Sequence, residues 1–382
     1  MNRYYFDHSA TTPVHPEVAQ AMLEVMLGPG GNPSSIHAFG RAAKQLVTRS
    51  RDTIAAALGC KSSELIFTSG GTESDNAALI GAALAMRKQG RSHIVTSAIE
   101  HHAVLHTCEW LEGEGFRLTV VPVDEFGRVS PEAVEAAIGP DTGLISIMHG
   151  NNEVGTLQPI EQIGEIAHEH GALLHVDAVQ SFGTVAYKLS DMPVDLMSFS
   201  AHKINGPQGV GALYIKTGTP FVPLQHGGSQ EKKRRAGTEN VPGIVGFAKA
   251  VDICVNERKN KQLLMDKLRT VWVESLKQEL GESAFVLNGH PQQKLPHIVN
   301  ISFLGVDTEK MLMNLDMAGI AASSGSACTS GSLERSHVLK AMRLGDERLL
   351  SAVRFSFGLG NTEEEVADAA RKTAAIVKRI RK

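Results

Sequence analysis

Between residues 65 and 215 the chain alternates short apolar runs with amphipathic stretches, and this alternation leaves few folds open. Runs at 65–68, 93–97, 117–121, 144–148, 173–176, 196–199 and 211–215 have the length and composition of strands. Helix-period patterns at 77–87, 131–138 and 160–170 fall between several of them. Strands separated by helices pair in parallel, because each crossover returns the chain to the same end of the sheet. The expected fold class is therefore α/β, with a mostly parallel central sheet covered by helices. From about 256 to 277 the pattern is a long charged amphipathic helix, followed by strand-like runs at 297–303 and 353–357 and a terminal helix. This predicts a large domain over 16–257 and a smaller α+β domain over 258–382, with residues 1–15 an N-terminal segment that joins the smaller one.

A chain of 382 residues has room for two such domains. Its 42% hydrophobic and 21% charged content is that of a globular protein, and a net charge of -3 offers no footprint for direct nucleic-acid binding. The segment Met1-Asn2-Arg3-Tyr4-Tyr5-Phe6-Asp7 lacks the apolar core of a signal peptide. No apolar run approaches the roughly 18 residues of a spanning helix. No membrane role and a cytoplasmic location are expected.

The chemistry gathers at two strand ends. Val176-Asp177-Ala178-Val179-Gln180 and Ser200-Ala201-His202-Lys203 each follow a buried strand-like run. A lysine at a strand end can form a Schiff base with an aldehyde cofactor, and an upstream carboxylate can keep a pyridinium nitrogen protonated. Taken singly, each would be an ordinary surface charge; paired at neighbouring strand ends, they point to a pyridoxal phosphate site. Ser69-Gly70-Gly71-Thr72, between a strand and a helix, offers free N–H groups and a hydroxyl to a phosphate at the positive end of the helix dipole. It carries neither the lysine of a Walker A loop nor a GxGxxG fingerprint. His101-His102 follows a strand at the end of the sheet where ligands bind, and one of these rings can stack on a flat cofactor. His168 and His170, two apart on a helix, face different directions, and no metal site is expected.

The four cysteines, Cys60, Cys108, Cys254 and Cys328, show no CxxC or zinc-like spacing. The first three lie in helix-like contexts and read as small buried hydrophobes. Cys328 lies within Ser323-Ser324-Gly325-Ser326-Ala327-Cys328-Thr329-Ser330-Gly331-Ser332, a small, polar stretch expected to be a mobile surface loop over 323–335 and to display a reactive thiol.

Taken together, Tyr5-Phe6-Asp7-His8-Ser9-Ala10-Thr11-Thr12-Pro13, Gly31-Asn32-Pro33-Ser34-Ser35-Ile36-His37, Asn151-Asn152-Glu153-Val154-Gly155, Arg235-Ala236-Gly237-Thr238, Val353-Arg354-Phe355-Ser356 and the motifs above occur in an order that resembles the class I cysteine desulfurases. These are NifS/IscS-type members of the fold-type I pyridoxal phosphate-dependent transferases, within aminotransferase class V. The resemblance implies that residues 16–257 bind pyridoxal 5'-phosphate, with Lys203 as covalent anchor, Asp177 at the pyridinium nitrogen and Gln180 at the ring's phenolic oxygen. It implies that His101 stacks on the ring and moves a proton, and that Gly71, Thr72, Ser200 and His202 hold the phosphate. Thr238 would reach in from the neighbouring subunit of a homodimer, and Asn151 and Arg354 would bind the substrate carboxylate. L-cysteine would become L-alanine, with its sulfur carried as a persulfide on Cys328 to an acceptor protein such as an iron-sulfur scaffold or a tRNA thiolase. Leu333-Glu334 is followed by Arg335 where many relatives carry proline.

Overall fold

The computed structural model describes residues 3–325 and 335–381. In chain order its strands are β1 (Tyr4–Tyr5), β2 (Leu65–Thr68), β3 (His93–Ser97), β4 (Arg117–Val121), β5 (Thr142–Ser146), β6 (Leu173–Asp177), β7 (Leu196–Ser200), β8 (Gly211–Ile215), β9 (Phe285–Asn288), β10 (Ile298–Phe303), β11 (Ile320–Ala321) and β12 (Ala352–Ser356). Seven of them form one sheet in the order β2-β8-β7-β6-β5-β3-β4. The run from β4 to β7 is parallel throughout. β8 alone runs against both its neighbours. Every residue of β3, β5, β7 and β8 is buried, as expected of strands covered by helices on both faces.

Two departures from the sequence pattern concern the site. The strand predicted at 144–148 pairs from Thr142 to Ser146, because the ladder starts opposite His93 with a register shift that the apolar run does not reveal. Residues 147–149 still track β6, through Ile147 N–H to His175 O (3.1 Å) and His149 N–H to Asp177 O (2.8 Å). The stretch 69–76 is mostly helix, since the helix Gly71–Arg87 starts immediately after Gly70. Gly70 makes the turn at φ +152, where side chains are strained, and a Cβ on Gly71 would lie 2.7 Å from Val179.

A second core surrounds the antiparallel sheet β12-β10-β9. Trp272 stands at its centre, with Phe6, Phe355 and Phe357 rings 5.6, 4.5 and 5.9 Å away. The N-terminal strand belongs to this core: β1 pairs in parallel with β11, and Tyr4 and Phe6 are buried in the cluster. One helix, Val241–Leu280, joins the two cores. Its Phe247, Val251 and Cys254 pack on the large sheet, and its Leu268, Trp272 and Leu276 pack in the second core. The helix begins well before residue 256, capped by the Asn240 side chain on Gly243 N–H, with Pro242 in its first turn. Among the described residues no helix is long and apolar enough to cross a membrane.

Candidate active site

Side chains at the carboxyl ends of the parallel strands, where open α/β sheets bind ligands, surround a cavity of about 370 Å³. β6 delivers Asp177 as its last residue, and the turn Ala201–Lys203 after β7 delivers His202 and Lys203. Gly71 and Thr72 enter from the first turn of the helix Gly71–Arg87, and His101 from the N-cap of the helix His102–Gly113. Gln180 lines the wall beyond β6, and Arg354 crosses from β12 of the second core. Residues from six places in the sequence thus meet in one space.

Lys203 Nζ donates to the carbonyl oxygens of Ser9 and Ala10, the latter at 2.8 Å, so the N-terminal segment stations the amine. Asp177 Oδ1 accepts from Val179 N–H at 2.9 Å. Burial pushes its carboxyl up to about 6, while that hydrogen bond and the Lys203 charge pull the other way. His101 is pushed down to about 4, by burial first and by the Lys203 charge next, and its Nδ1 accepts from Ala103 N–H at 3.0 Å. It is therefore a neutral ring at physiological pH. Burial and then Lys203 push His202 down to about 4 as well; its Nδ1 lies 3.2 Å from Thr11 Oγ1. Ser200 closes β7 and is buried behind the phosphate-type turn.

The helix Gly71–Arg87 follows Gly70 without a side-chain cap, so its first turn is open. Glu73 stands beside it, accepting from Ser69 N–H at 2.7 Å and pairing with Arg235 at 2.8 Å. This pair tethers the segment that carries Thr238 to the rim of the site. Thr238 itself is exposed and does not line the cavity of its own chain.

Arg354 is only 2% exposed. Its Nη2 binds Asp7 at 2.8 Å and its Nη1 donates to Asn152 O at 2.9 Å. The expectation for Asn151 is corrected here. Its amide is committed to the backbone, donating to Ile99 O at 3.1 Å and accepting from Glu153 and Val154 N–H at 2.9 Å each. Asn151 stands behind the wall, and Asn152 lines the cavity. Two adjacent asparagines gave the sequence no means of telling which faces inward.

Sequence reasoning also passed over Asp7, which holds Arg354, and Asp75, a buried carboxyl on the cavity wall. Asp75 falls one helical turn after Gly71 and so shares its face, a signal that the 3.6-residue period carries once the helix start is known. Four polar atoms of the cavity lining have no hydrogen-bond partner although buried: Ser9 Oγ, Asp75 Oδ1, Gln180 Oε1 and Arg354 Nε. Such groups cost about 1–3 kcal/mol each unless a ligand satisfies them.

Cys328 lies outside the described residues, and Gly325 before it lines the cavity. Cys108 and Cys254 are buried and Cys60 is half-buried. Burial pushes the Cys60 and Cys108 thiols up to about 12 and raises that of Cys254. Among the described residues no group of three or more His, Cys, Asp or Glu is arranged to hold a metal ion.

Residues 4–368 match the family Aminotransferase class-V. The relative named IscS 1 in Bacillus subtilis (strain 168) is 51% identical over 382 residues, all of both chains. A cysteine desulfurase IscS of Methanosarcina thermophila is 50% identical over 377 residues, 99% of this chain and 92% of the other. Among solved structures, a NifS-like protein superposes with a TM-score of 0.92 at 39% identity, covering 99% of this chain and 100% of its own. The chain belongs to the class-V aminotransferase family, among the cysteine desulfurases.

Proposed function

We propose that this protein is a pyridoxal 5'-phosphate-dependent enzyme that converts L-cysteine to L-alanine and takes the sulfur onto Cys328 as a persulfide. The observation that carries the reading is the convergence of Lys203, Asp177 and Arg354 on one cavity from three separate elements. The residues fit the cofactor: an open helix start suits its phosphate, and a buried carboxyl at the foot of the cavity suits its ring nitrogen. When bound, that group supplies an electron sink next to the substrate's α-carbon.

The chain's own groups then divide the work. Gly71, Thr72, Ser200 and His202 hold the phosphate, and Thr238 completes this grip from the partner subunit of a homodimer. Its exposure away from its own cavity supports that assignment. Asp177 would hold the ring nitrogen, an N–H of the Gln180 amide would donate to the phenolic oxygen, and the neutral His101 ring would stack on the cofactor. Lys203 anchors the cofactor and carries the α-proton. Arg354 and Asn152 take the substrate carboxylate, Arg354 because its planar fork matches two oxygens. The thiol of Cys328 accepts one sulfur atom as the substrate's carbon–sulfur bond breaks, so L-cysteine and enzyme thiol become L-alanine and enzyme persulfide. The raised thiols of Cys60, Cys108 and Cys254 make poor competitors.

Delivery of this sulfur to an iron-sulfur scaffold or a tRNA thiolase in the cytoplasm is the pathway that the reading implies. Wild type given one equivalent of L-cysteine should yield alanine and a single added sulfur on the peptide containing Cys328, and Lys203→Ala should yield neither. Sulfur mapped by mass spectrometry to Cys60, Cys108 or Cys254 would overturn the assignment. For the dimer, mixing Lys203→Ala with Thr238→Ala subunits should restore part of the activity, because one of the two sites regains both groups. No recovery after demonstrated subunit exchange would place Thr238 in its own chain's site.

A further inference from the structure

We propose that Asp75 is a second carboxyl of the cofactor site, a protonated acid that presents its O–H to the bound ring and leaves Asp177 as the charged member of the pair. The inference rests on the reading of this cavity as a pyridoxal phosphate site.

Asp75 is 1% exposed and lines the cavity, and its Oδ1 has no hydrogen-bond partner. The imidazole nitrogen His175 Nε2 is 3.6 Å away and is already engaged with Ser198 Oγ at 3.0 Å. The other nitrogen of that ring meets Ser146 Oγ at 2.8 Å, and full burial pushes the imidazole down to about 3. His175 is therefore neutral and supplies no counter-charge. The remaining titratable neighbours are Asp177 on β6 and Glu100 in the turn after β3, both carboxyls, which oppose a charge on Asp75. Across the cavity stand Lys203 and Arg354, committed to Ser9, Ala10 and Asp7, and the neutral rings of His101 and His202.

Two adjacent carboxyls closed off from water cannot both ionise, so the pair keeps a proton. Asp177 has the better claim to the charge: Val179 N–H donates to it, the Lys203 charge favours its anion, and a ring nitrogen seated on it adds a third positive partner. Asp75 has only the hydroxyl of Ser198 to support an anion. A neutral Asp75 is a donor on the cavity lining with one oxygen unpartnered, and it protects the charge on Asp177, which an ionised neighbour would suppress.

The test uses apoprotein titrated with pyridoxal 5'-phosphate, read by visible absorbance and by calorimetry in two buffers of different ionisation heat. Asp75→Asn mimics the neutral acid and should bind within about threefold of wild type, with the same number of protons taken up. Asp75→Ala, which loses a buried donor, should bind about tenfold more weakly. Wild-type affinity in Asp75→Ala would show that the group makes no contact, and a proton count changed by close to one in Asp75→Asn would show that Asp75 gains or loses a proton on binding instead of staying a protonated acid throughout; either overturns the inference. Should Asp75→Ala not fold, Asp75→Ser takes its place. Failure of wild type itself to bind pyridoxal phosphate would overturn the cofactor reading along with it.

Discussion

The large parallel sheet and the smaller antiparallel one differ in where they bury acids and histidines. One face of β9, β10 and β12 packs an aromatic and aliphatic core built on Trp272, Phe303, Phe355 and Phe357, and the other buries the neutral groups Asn288, Asn300 and Ser302, hydrogen-bonded to one another. Beneath the carboxyl ends of β5, β6 and β7 the interior holds Asp75, Glu100, His175 and Asp177, all buried. Burial pushes Glu100 up to about 8 and His175 down to about 3, so each is held against its preferred charge. A core that only had to be stable would not carry such groups, and their concentration at one end of one sheet marks where the fold is adapted to a ligand. Arg354 belongs to both worlds: its strand is part of the apolar core, and its guanidinium reaches the polar cavity.

The contrast can be broken most sharply in the apolar region. Trp272→Ala should lower unfolding free energy by roughly 3–5 kcal/mol in a denaturant titration, as deletion of a buried aromatic does. Lys203 should remain in its cavity, so cofactor affinity under native conditions should change little by comparison. Asn151→Ala strands Ile99 O and two N–H groups, and should cost roughly 1–3 kcal/mol of stability for each buried group left unpaired. Asn152→Ala should instead raise KM for L-cysteine with little loss of stability. The reverse pattern would return the substrate role to Asn151.

Arg354→Lys keeps the charge and loses the fork, and should lower kcat/KM roughly 10–100-fold through KM, the value of one charge-assisted hydrogen bond. Retained kcat/KM would mean that the carboxylate binds elsewhere. The smallest effect is the most diagnostic of the polar interior. His175 has a folded pKa of about 3, below its unfolded value, so its contribution is complete above about pH 6.5 and is lost as the pH falls toward 3. Over the 1.5 units from pH 6.5 to 5 the stability advantage of wild type over His175→Asn should shrink by roughly 1.6 kcal/mol. A pH-independent difference would mean that the ring is not held neutral.

Much of the large sheet was legible because buried parallel strands are short apolar runs that little else resembles; β3, β4 and β8 fall where those runs predict. The partners at strand ends were legible for the same reason, since Asp177 and Lys203 follow runs whose direction the βα alternation dictates. What the pattern could not give depends on pairing and on distant segments. The start of β5 is decided by its register against β3. The early turns of the Val241–Leu280 helix were legible in the spacing of Val241, Ile244, Phe247, Val251 and Cys254 and were passed over. Asp7 joins the site only through its contact with Arg354, which no local spacing encodes, whereas Asp75 follows from its spacing to Gly71 once the helix start is known. Cys328 was singled out from the composition of its surroundings and lies outside the described residues.

The central claim is that Lys203 anchors pyridoxal phosphate in the cavity between the two cores. Borohydride reduction of the holoenzyme, followed by digestion and mass spectrometry, tests it directly. The account predicts one cofactor per chain, attached to the peptide containing Lys203 and absent from Lys203→Ala. A reduced cofactor attached to any other lysine of the wild-type protein would contradict it.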